Sequence, residues 1–286
     1  MPQNPSISSA PTRTLLTIAG HDPSSGAGIT ADLQTFAAHR LYGTSAITAL
    51  TVQSTLGVAE LKTVDPSFLR RALDHLTADL PPSGIKIGML GSSEIAASVA
   101  DFLAGRHSPE GNSTTGNQPS SAPLVVLDPI LRASSGATLL PPDAIETLHH
   151  QLIPLVTWIT PNWSELSALT SRPVETLAQA QTAIQHLAAR HPHRHIVATA
   201  GDQPQPTDLL RLPSGDIHRF ASEHLDSTST HGTGCAFSSA LLCHLVLHDT
   251  PPEAVRHAKH FVTEAIRHAP NVGHGKGPLN LFWQIS

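Results

Sequence analysis

The chain of 286 residues has few charged side chains, no excess of basic ones and no long apolar run. Asp, Glu, Lys and Arg together make up 14% of the sequence, and the formal net charge at pH 7 is −5. Because the chain has no basic stripe, we expect no nucleic-acid partner. Its apolar runs are all too short to span a bilayer, so we expect no membrane partner either.

Cysteine is also scarce, since Cys235 and Cys243 are the two in the sequence. They lie eight positions apart on one predicted helix, roughly 12 Å along its axis. At that separation they cannot form a disulfide with each other. Two unpaired thiols fit a reducing compartment, and we therefore predict a cytoplasmic location.

The first twelve residues, MPQNPSISSAPT, have neither a basic start nor an apolar core. A secretory signal peptide needs both, so we predict a disordered polar tail over residues 1–12. Histidine is abundant, with 19 residues, and HPHRH at 191–195 raises the possibility of a metal site. Its spacing matches no helical ligand pair, and we interpret it as a solvated loop.

Six apolar runs rich in strand-forming residues alternate with amphipathic stretches of helical period. The runs are continuous, as expected for parallel strands that helices cover on both faces. This alternation predicts an α/β layered fold with a mostly parallel sheet. The predicted strands cover residues 14–20, 45–52, 84–90, 123–131, 156–162 and 195–201.

A low-complexity stretch rich in Gly, Ser, Pro and Asn interrupts this pattern at residues 105–123. Such a composition between a helix and a strand predicts a surface insert. Strands and helices alternate unchanged after it, so we predict a single domain over residues 13–286.

The stretch STHGTGCAFSSALLCHL at 229–245 sets a cysteine directly behind a Gly-Thr-Gly turn that opens a helix. Free backbone N–H groups at a helix start bind anions. The same field should lower the pKa of Cys235 and favour its thiolate. The alternative is a glycine turn followed by a buried small residue.

Polar residues also follow the first two predicted strands. After the first, Gly20, Gly26 and Gly28 permit a close approach of backbone to a ligand, although neither a GxGxxG nor a Walker motif is present. Asp32 is predicted on the first turn of the next helix, where it would accept hydrogen bonds from a ligand or balance the helix dipole. Gln53 ends the second strand, and its amide is either a ligand contact or a surface group.

Further along, Met89 follows KIG and offers either a soft apolar wall to a ligand or plain core packing. Asp128 ends another strand, and Asn162 and Glu165 stand three apart where a strand turns into a helix. Their oxygens suit Mg²⁺ held largely through water and phosphate. The other interpretation makes Asn162 and Glu165 a capping box, and both can hold at once.

Taken in order, these motifs resemble one family. TIAGHDPSSGAGITADLQTFAAHRLYGTSAITALTVQST closely resembles the opening of the hydroxymethylpyrimidine/phosphomethylpyrimidine kinases of thiamine biosynthesis, in the ribokinase-like superfamily. KIGML, VVLDPIL, LIPLVTWITPNWSELSAL, THGTGCAFSSAL and VGHGKGP follow in the family's order. The match covers residues 14–284 apart from the insert. GTG alone is common, but the ordered set is highly specific.

The resemblance implies a three-layer α/β/α ribokinase-like fold, a homodimer, and Mg²⁺-dependent transfer of phosphate from ATP to 4-amino-5-hydroxymethyl-2-methylpyrimidine. By motif, the resemblance implies that the pyrimidine is contacted by Gly20, Asp32, Gln53 and Met89. It implies an anion hole at Gly232, Thr233 and Gly234, with Cys235 in place of the catalytic base. It also implies that the nucleotide phosphates are contacted by Asn162 and Thr199, and that Mg²⁺ is held by Asp128 and Glu165.

Two positions depart from the family pattern, because Ser134 and Thr199 stand where lysines are typical. Lysine near the triphosphate compensates charge during transfer. A second phosphorylation, of the pyrimidine monophosphate, should need that charge most. We therefore hypothesise that the first phosphorylation is retained and the second is weak, unless Arg132 and Lys276 compensate.

Two other functions fit parts of the pattern. Pyridoxine and pyridoxal kinases share the fold and most motifs, although Gln53 and Cys235 favour the aminopyrimidine. A non-catalytic pyrimidine-binding protein is the other alternative. It would have no use for the intact GTGC turn, the Asn162–Glu165 pair and Asp128.

Overall fold

The computed structural model describes residues 13–107, 123–133, 136–201 and 203–285. The predicted tail lies outside these residues, as does most of the predicted insert, so both remain predictions.

One nine-stranded sheet, in the order β3-β2-β1-β4-β5-β6-β7-β8-β9, runs through the described part of the chain. The strands are β1 (Thr14–His21), β2 (Tyr42–Ser54), β3 (Gly57–Thr63), β4 (Gly84–Ile87), β5 (Leu124–Leu127), β6 (Trp158–Ile159), β7 (His195–Ala198), β8 (Thr207–Arg211) and β9 (Ile217–Ala221).

The centre of the sheet is parallel, from β2 through β1, β4, β5 and β6 to β7. The three strands that the sequence did not predict are antiparallel, with β3 at one edge and β8 and β9 at the other. β3 and β9 are half exposed and lack the continuous apolar runs that marked the central strands. Several predicted strands also end earlier than expected, and the residues after them form loops.

Helices connect the strands, namely α1 (Gly28–Ala38), α2 (Pro66–Asp79), α3 (Ser93–His107), α4 (Ala144–Thr147), α5 (Trp163–Thr170), α6 (Leu177–Arg190), α7 (Thr233–Val246) and α8 (Pro251–Arg267). α4 continues into a π-helical turn at Leu148–Leu152 and a 3-10 turn at Ile153–Leu155. Among these described helices, none is long and apolar enough to cross a membrane.

Two apolar cores lie on opposite faces of the sheet. Leu16 and Ile18 of β1 pack in one core with α2, α3, α5 and α6, whereas Leu15 packs in the other with α1, α7 and α8. Successive residues of a strand point to opposite faces, so a continuous apolar strand supplies both cores. The predicted α/β fold with a mostly parallel sheet between helical layers is confirmed.

The HPHRH stretch is less solvated than predicted. His191 is buried and its Nε2 lies 3.0 Å from Nδ1 of His149, with the two rings stacked. His195 begins β7 and stacks on Trp158. The interpretation as a solvated loop is therefore wrong for His191. Its ring packs against His149 in the π-helical turn that follows α4.

Candidate active site

A cavity of about 760 Å³ opens at the carboxyl ends of the parallel strands. Residues that follow β1, β4, β5, β6 and β7 line it, together with the end of β2 and the start of α7. Ligands of open α/β sheets bind at this end of the strands, because connecting loops there converge on helix N-termini. The predicted site residues in its lining are Gly20, Gln53, Met89, Asp128, Asn162, Glu165, Thr199, Gly232, Thr233, Gly234 and Cys235.

The loop after β1 is organised by Asp22, a residue that was not predicted from the sequence. One of its carboxylate oxygens accepts hydrogen bonds from the backbone N–H and the hydroxyl of Ser24, at 2.9 and 2.7 Å. The other accepts from the N–H of Ala27 at 3.0 Å and lies 2.7 Å from Nε2 of His231. Burial by itself would raise the pKa of Asp22, but the His231 and Ser24 hydrogen bonds lower it overall. The carboxylate therefore fixes the loop against the segment that precedes α7.

Two glycines are required by close contacts at this point. Gly232 has φ +82°, and a Cβ there would lie 1.9 Å from the carbonyl oxygen of Gly26. A Cβ on Gly20 would lie 1.9 Å from the Met89 methyl carbon. Larger residues would push the β1 loop away from α7 or displace Met89 from the cavity wall.

The Gly-Thr-Gly turn opens α7, as the sequence predicted. Gly232 is the N-cap residue, Thr233 and Gly234 lie in the first turn, and the N–H of Ala236 donates to the Gly232 carbonyl. The first N–H groups of an α-helix have no acceptor within the helix, and the positive end of the helix dipole lies there. The first turn of α7 lines the cavity, and the anion hole that the resemblance implied there remains a prediction.

Cys235 differs from the sequence expectation. Its thiol lines the cavity but is 5% exposed, and burial raises its pKa to about 12, against the opposing effect of the Lys86 ammonium. The loss of hydration of a thiolate outweighs the helix start and the nearby cation. The prediction of a lowered pKa is wrong, and the group is a neutral thiol at pH 7.

Asp32 also differs from the expectation. It lies in the second turn of α1, it is fully buried, and it is absent from the cavity lining. Its oxygens accept hydrogen bonds from Lys86 Nζ (2.9 Å to each), from Thr17 (2.5 Å) and from Ser239 (2.8 Å). The implied contact with a pyrimidine is therefore corrected, because this carboxylate is already surrounded by donors beneath the site.

Lys86 is the second site residue that was not predicted from the sequence. Burial would lower the pKa of its ammonium, but the negative charge of Asp32 opposes this, with a smaller contribution from Asp128, and the pKa is raised. Gly88 leaves room for it, since a Cβ there would lie 2.7 Å from Lys86 Nζ. The sequence does contain a signal for this ion pair, because a lysine within the apolar run GIKIGML needs a buried partner.

Asp128 follows β5 beside the start of α7. Its Oδ2 accepts a hydrogen bond from Ser238 at 3.1 Å, and a Cβ on Gly234 would lie 3.7 Å from the same oxygen. Burial raises the pKa of Asp128 to about 6, although Lys86 and the Ser238 hydrogen bond oppose this. A carboxylate held in this way gains from a further cation on the cavity side.

Asn162 and Glu165 form the capping box of α5. Asn162 Oδ1 accepts from the Glu165 N–H, and Glu165 Oε2 accepts from the Asn162 N–H, both at 2.9 Å. Thr199 forms a bridge with Asn162, and all three residues line the cavity. The capping interpretation is confirmed. The implied roles toward metal and phosphate remain predictions.

The opposite part of the cavity carries Gln53, Met89 and His231, the third residue not predicted. Gln53 Oε1 accepts from Thr51 Oγ1 at 3.1 Å, and its Nε2 lies 3.2 Å from Nε2 of His231. These contacts place the amide between Thr51 and His231. Arg132 and Lys276 also line the cavity, whereas Ser134 lies outside the described residues.

Comparisons with known proteins show the family to which the chain belongs. The chain matches the model of a family described as phosphomethylpyrimidine kinase over residues 22–280. It is 38% identical to the hydroxymethylpyrimidine/phosphomethylpyrimidine kinase of Haemophilus influenzae, over 96% of this chain and 98% of that protein. The protein of the same name from Escherichia coli is 37% identical, over 93% and 96% of the two chains.

Solved structures are similar over most of the chain. Pyridoxal kinase from Staphylococcus aureus in complex with ADP superimposes with a TM-score of 0.83 and 26% identity, over 96% of both chains. Phosphomethylpyrimidine kinase from Clostridium difficile gives a TM-score of 0.73 and 31% identity, over 89% of this chain and 100% of that one.

Proposed function

The chain belongs to the phosphomethylpyrimidine kinase family and is a kinase, and we propose that it transfers phosphate from ATP to 4-amino-5-hydroxymethyl-2-methylpyrimidine in thiamine biosynthesis or salvage. One observation carries the proposal. Gln53 and Met89, suited to a flat aminopyrimidine, line the same cavity as the anion site at the start of α7.

The acceptor end is formed by Gly20 at the end of β1, Gln53 at the end of β2 and Met89 after β4. An aminopyrimidine presents an amino donor next to a ring-nitrogen acceptor, and the amide of Gln53 matches such an edge. Met89 supplies a polarizable wall for the ring. Gly20 leaves the space that the Met89 methyl group occupies. Asp32 is absent from the cavity lining and is bound to Lys86 in the interior.

The phosphate end is formed by Gly232, Thr233 and Gly234 at the start of α7. Backbone N–H groups there bind the charge that builds up on a transferring phosphoryl group. Asn162 and Thr199 lie along the path of the nucleotide phosphates in this proposal, and both line the cavity.

Asp128 and Glu165 fit Mg²⁺ by the chemistry of their donors. Both place carboxylates on the cavity, and Mg²⁺ uses one or two carboxylates together with water and phosphate oxygens. The raised pKa of Asp128 indicates a carboxylate that a cation would stabilise. When bound, Mg²⁺ would neutralise part of the phosphate charge.

In the transfer step, the hydroxymethyl oxygen forms a bond to the γ-phosphorus as the bond to the bridging oxygen of ADP breaks. The hydroxyl proton leaves to a phosphate oxygen or to water. Such a loose transition state needs positioning and charge neutralisation more than a strong base. The neutral thiol of Cys235 contributes to the positioning of the acceptor. It contacts the acceptor hydroxyl without placing a negative charge opposite the phosphates.

The second phosphorylation brings a substrate phosphate into the same cavity. Thr199 supplies no positive charge there, and Arg132 and Lys276 are the cationic side chains of the cavity lining among the described residues. We propose that the first phosphorylation is retained and the second is weaker. Mutation of Arg132 and Lys276 is the next step if both proceed equally.

The proposal includes a cytoplasmic homodimer. Leu50, Val52 and Leu56 of the β2–β3 hairpin are 51%, 59% and 73% exposed, which favours an apolar contact with a second copy. Cys235 and Cys243 are free and buried, in keeping with a reducing compartment. Sedimentation of the purified chain tests the dimer.

Phosphorus NMR of the purified protein with the pyrimidine alcohol and Mg-ATP tests the reaction. We expect the monophosphate to accumulate while the diphosphate forms slowly. Pyridoxal, assayed in parallel, should give a lower kcat/KM. Faster turnover of pyridoxal would replace the proposed substrate, and absence of turnover with either alcohol would favour a non-catalytic binding protein.

A further inference from the structure

A cluster of His244, Asp249 and His257 lies away from the proposed kinase site. His244 is in the last turn of α7, Asp249 is in the loop that follows, and His257 is in α8. None of the three lines the cavity. His244 lies nine residues after Cys235 on α7, roughly 14 Å along the helix axis. The cluster therefore lies at the opposite end of α7 from the proposed kinase site.

The polar atoms of the cluster converge on one carboxylate oxygen. Asp249 Oδ2 lies 3.0 Å from Nδ1 of His244 and 2.6 Å from Nδ1 of His257. One ligand atom from each of the three residues lies within 4.8 Å of the others, the one such group among the described residues. Ligands of a tetrahedral metal at bond lengths near 2.0 Å stand roughly 3.3 Å apart, so a small adjustment would suffice.

The backbone around the cluster is fixed before any metal binds. The Asp249 N–H donates to the His244 carbonyl at 3.0 Å, and His248 has φ +75°, so the chain reverses directly after α7. Thr250 then caps α8 through a capping box with Glu253. Three ligands carried on two packed helices and a short tied loop lose little freedom when they bind a common ion.

The surroundings of His244 also limit its movement. Its ring meets the ring of His39 edge-on, with centroids 5.0 Å apart, and His39 Nδ1 lies 2.8 Å from the Thr35 carbonyl oxygen. The side chains of His244 and Asp249 are 21% and 26% exposed, and that of His257 is 48% exposed. The cluster is thus anchored on one side and open to solvent on the other.

We propose that His244, Asp249 and His257 bind one divalent transition-metal ion of the zinc class, with water as the fourth ligand. Two imidazole nitrogens and one carboxylate oxygen, arranged with an open position, suit Zn²⁺ and Co²⁺. Mg²⁺ prefers oxygen ligands and its own water shell, so it selects Asp128 and Glu165 instead. We therefore expect Mg²⁺ at the kinase site and Zn²⁺ at the cluster of His244, Asp249 and His257.

Bound metal would tie the end of α7 to α8. Because an ion that binds the folded protein and not the unfolded chain stabilises the fold, Zn²⁺ should raise the unfolding temperature. In its absence, hydrogen bonds from the two imidazoles to Asp249 hold the same loop. The competing account is a hydrogen-bonded triad alone, and it predicts no specific response to Zn²⁺.

The test is titration of the purified full chain with Zn²⁺ alone, by calorimetry and chelator competition. We expect one equivalent to bind more tightly than any other class of site. His257→Ala and Asp249→Asn should weaken that class about 100-fold or more, since even outer partners of a metal site affect affinity 10–100-fold. His260→Ala, an exposed histidine on the same helix, should leave it unchanged.

Two further readouts protect the result against misfolding and background binding. Unfolding temperatures without metal report whether each variant folds, and His257 is exposed enough for the fold to survive its loss. Co²⁺ in place of Zn²⁺ should give the visible absorption of a tetrahedral site in wild type and His260→Ala, and lose it in His257→Ala. Equal Zn²⁺ binding by His257→Ala and wild type, or no tight equivalent in wild type, would overturn the proposal.

Discussion

The ammonium of Lys86 lies 2.9 Å from both carboxylate oxygens of Asp32, and neither side chain is exposed to solvent. The pair joins β4 to α1 directly beneath the cavity. The hydroxyls of Thr17 and Ser239 donate the remaining hydrogen bonds to the Asp32 carboxylate. A buried pair with its hydrogen bonds satisfied is tolerated, but the loss of one partner leaves an uncompensated buried charge.

Lys86→Met should therefore destabilise the protein by about 3–5 kcal/mol. Urea unfolding of the variant and wild type measures this difference. Adding Asp32→Leu to Lys86→Met should recover part of the loss, because both charges are then gone. Lys62→Met, at an exposed position of β3, is the matched control and should change stability little. Equal stability of Lys86→Met and wild type would contradict the assigned ion pair.

Cys235 should react slowly with iodoacetamide at neutral pH. Burial raises the pKa of its thiol to about 12, so the thiolate fraction at pH 7.5 is very small. Mass spectrometry of the labelled peptide in a Cys243→Ala background measures the rate. The rate should climb steadily up to pH 9 without a plateau. A plateau near pH 7 would instead indicate the lowered pKa that the sequence alone suggested.

Cys235→Ser should retain a substantial part of the kinase activity, because a hydroxyl can make the same contact with the acceptor. Cys235→Asp would place a negative charge next to Asp128 in the empty site and should raise the Mg²⁺ concentration needed for half-maximal rate. Steady-state kinetics at several Mg²⁺ concentrations distinguish the two effects. Complete inactivity of a folded Cys235→Ser variant would argue that the sulfur itself is required.

Asp128→Asn should lower kcat/KM about 100-fold or more and increase the Mg²⁺ requirement, since a metal ligand stabilises the charge of the transition state. The measurement is the initial rate against Mg²⁺ concentration at saturating nucleotide. Asp143→Asn, an exposed carboxylate before α4, should leave both quantities unchanged. If Asp128→Asn kept its Mg²⁺ dependence, the metal would have to be held elsewhere.

The stacked pair of His149 and His191 should make stability depend on pH. Burial lowers the pKa of His191 to about 4, with help from His149, whereas the unfolded chain binds a proton near pH 6.5. Stability is therefore complete above pH 6.5 and falls as the pH drops toward 4. Allowing for solvent screening, we expect a loss of about 1 kcal/mol between pH 7 and pH 5.

Urea unfolding at the two pH values measures this loss. His191→Gln should be less stable at pH 7 but should show a smaller difference between pH 7 and pH 5. His193→Gln, exposed in the same stretch, should keep the wild-type difference. The same pH response in His191→Gln and wild type would place the titration in another group.

Much of the architecture could be predicted from the sequence. Continuous apolar runs at regular spacing predicted the central parallel strands, and Gly232 and Gly234 predicted the start of α7. The edge strands were not predicted. β3 and β9 contain no buried residue and carry few long apolar side chains, so their place in the sheet depends on their neighbours more than on their own composition.

The site shows the same division. Local sequence determined which polar residues follow each strand, and since parallel strands end at one edge, Gln53, Asp128, Asn162 and Thr199 had to come close. Tertiary structure alone decided the electrostatics. It buried Asp32 against Lys86, brought His231 onto Asp22, and removed Cys235 from water. Periodicity reports which side chains share a face, whereas a pKa depends on burial and on charges that are distant in sequence.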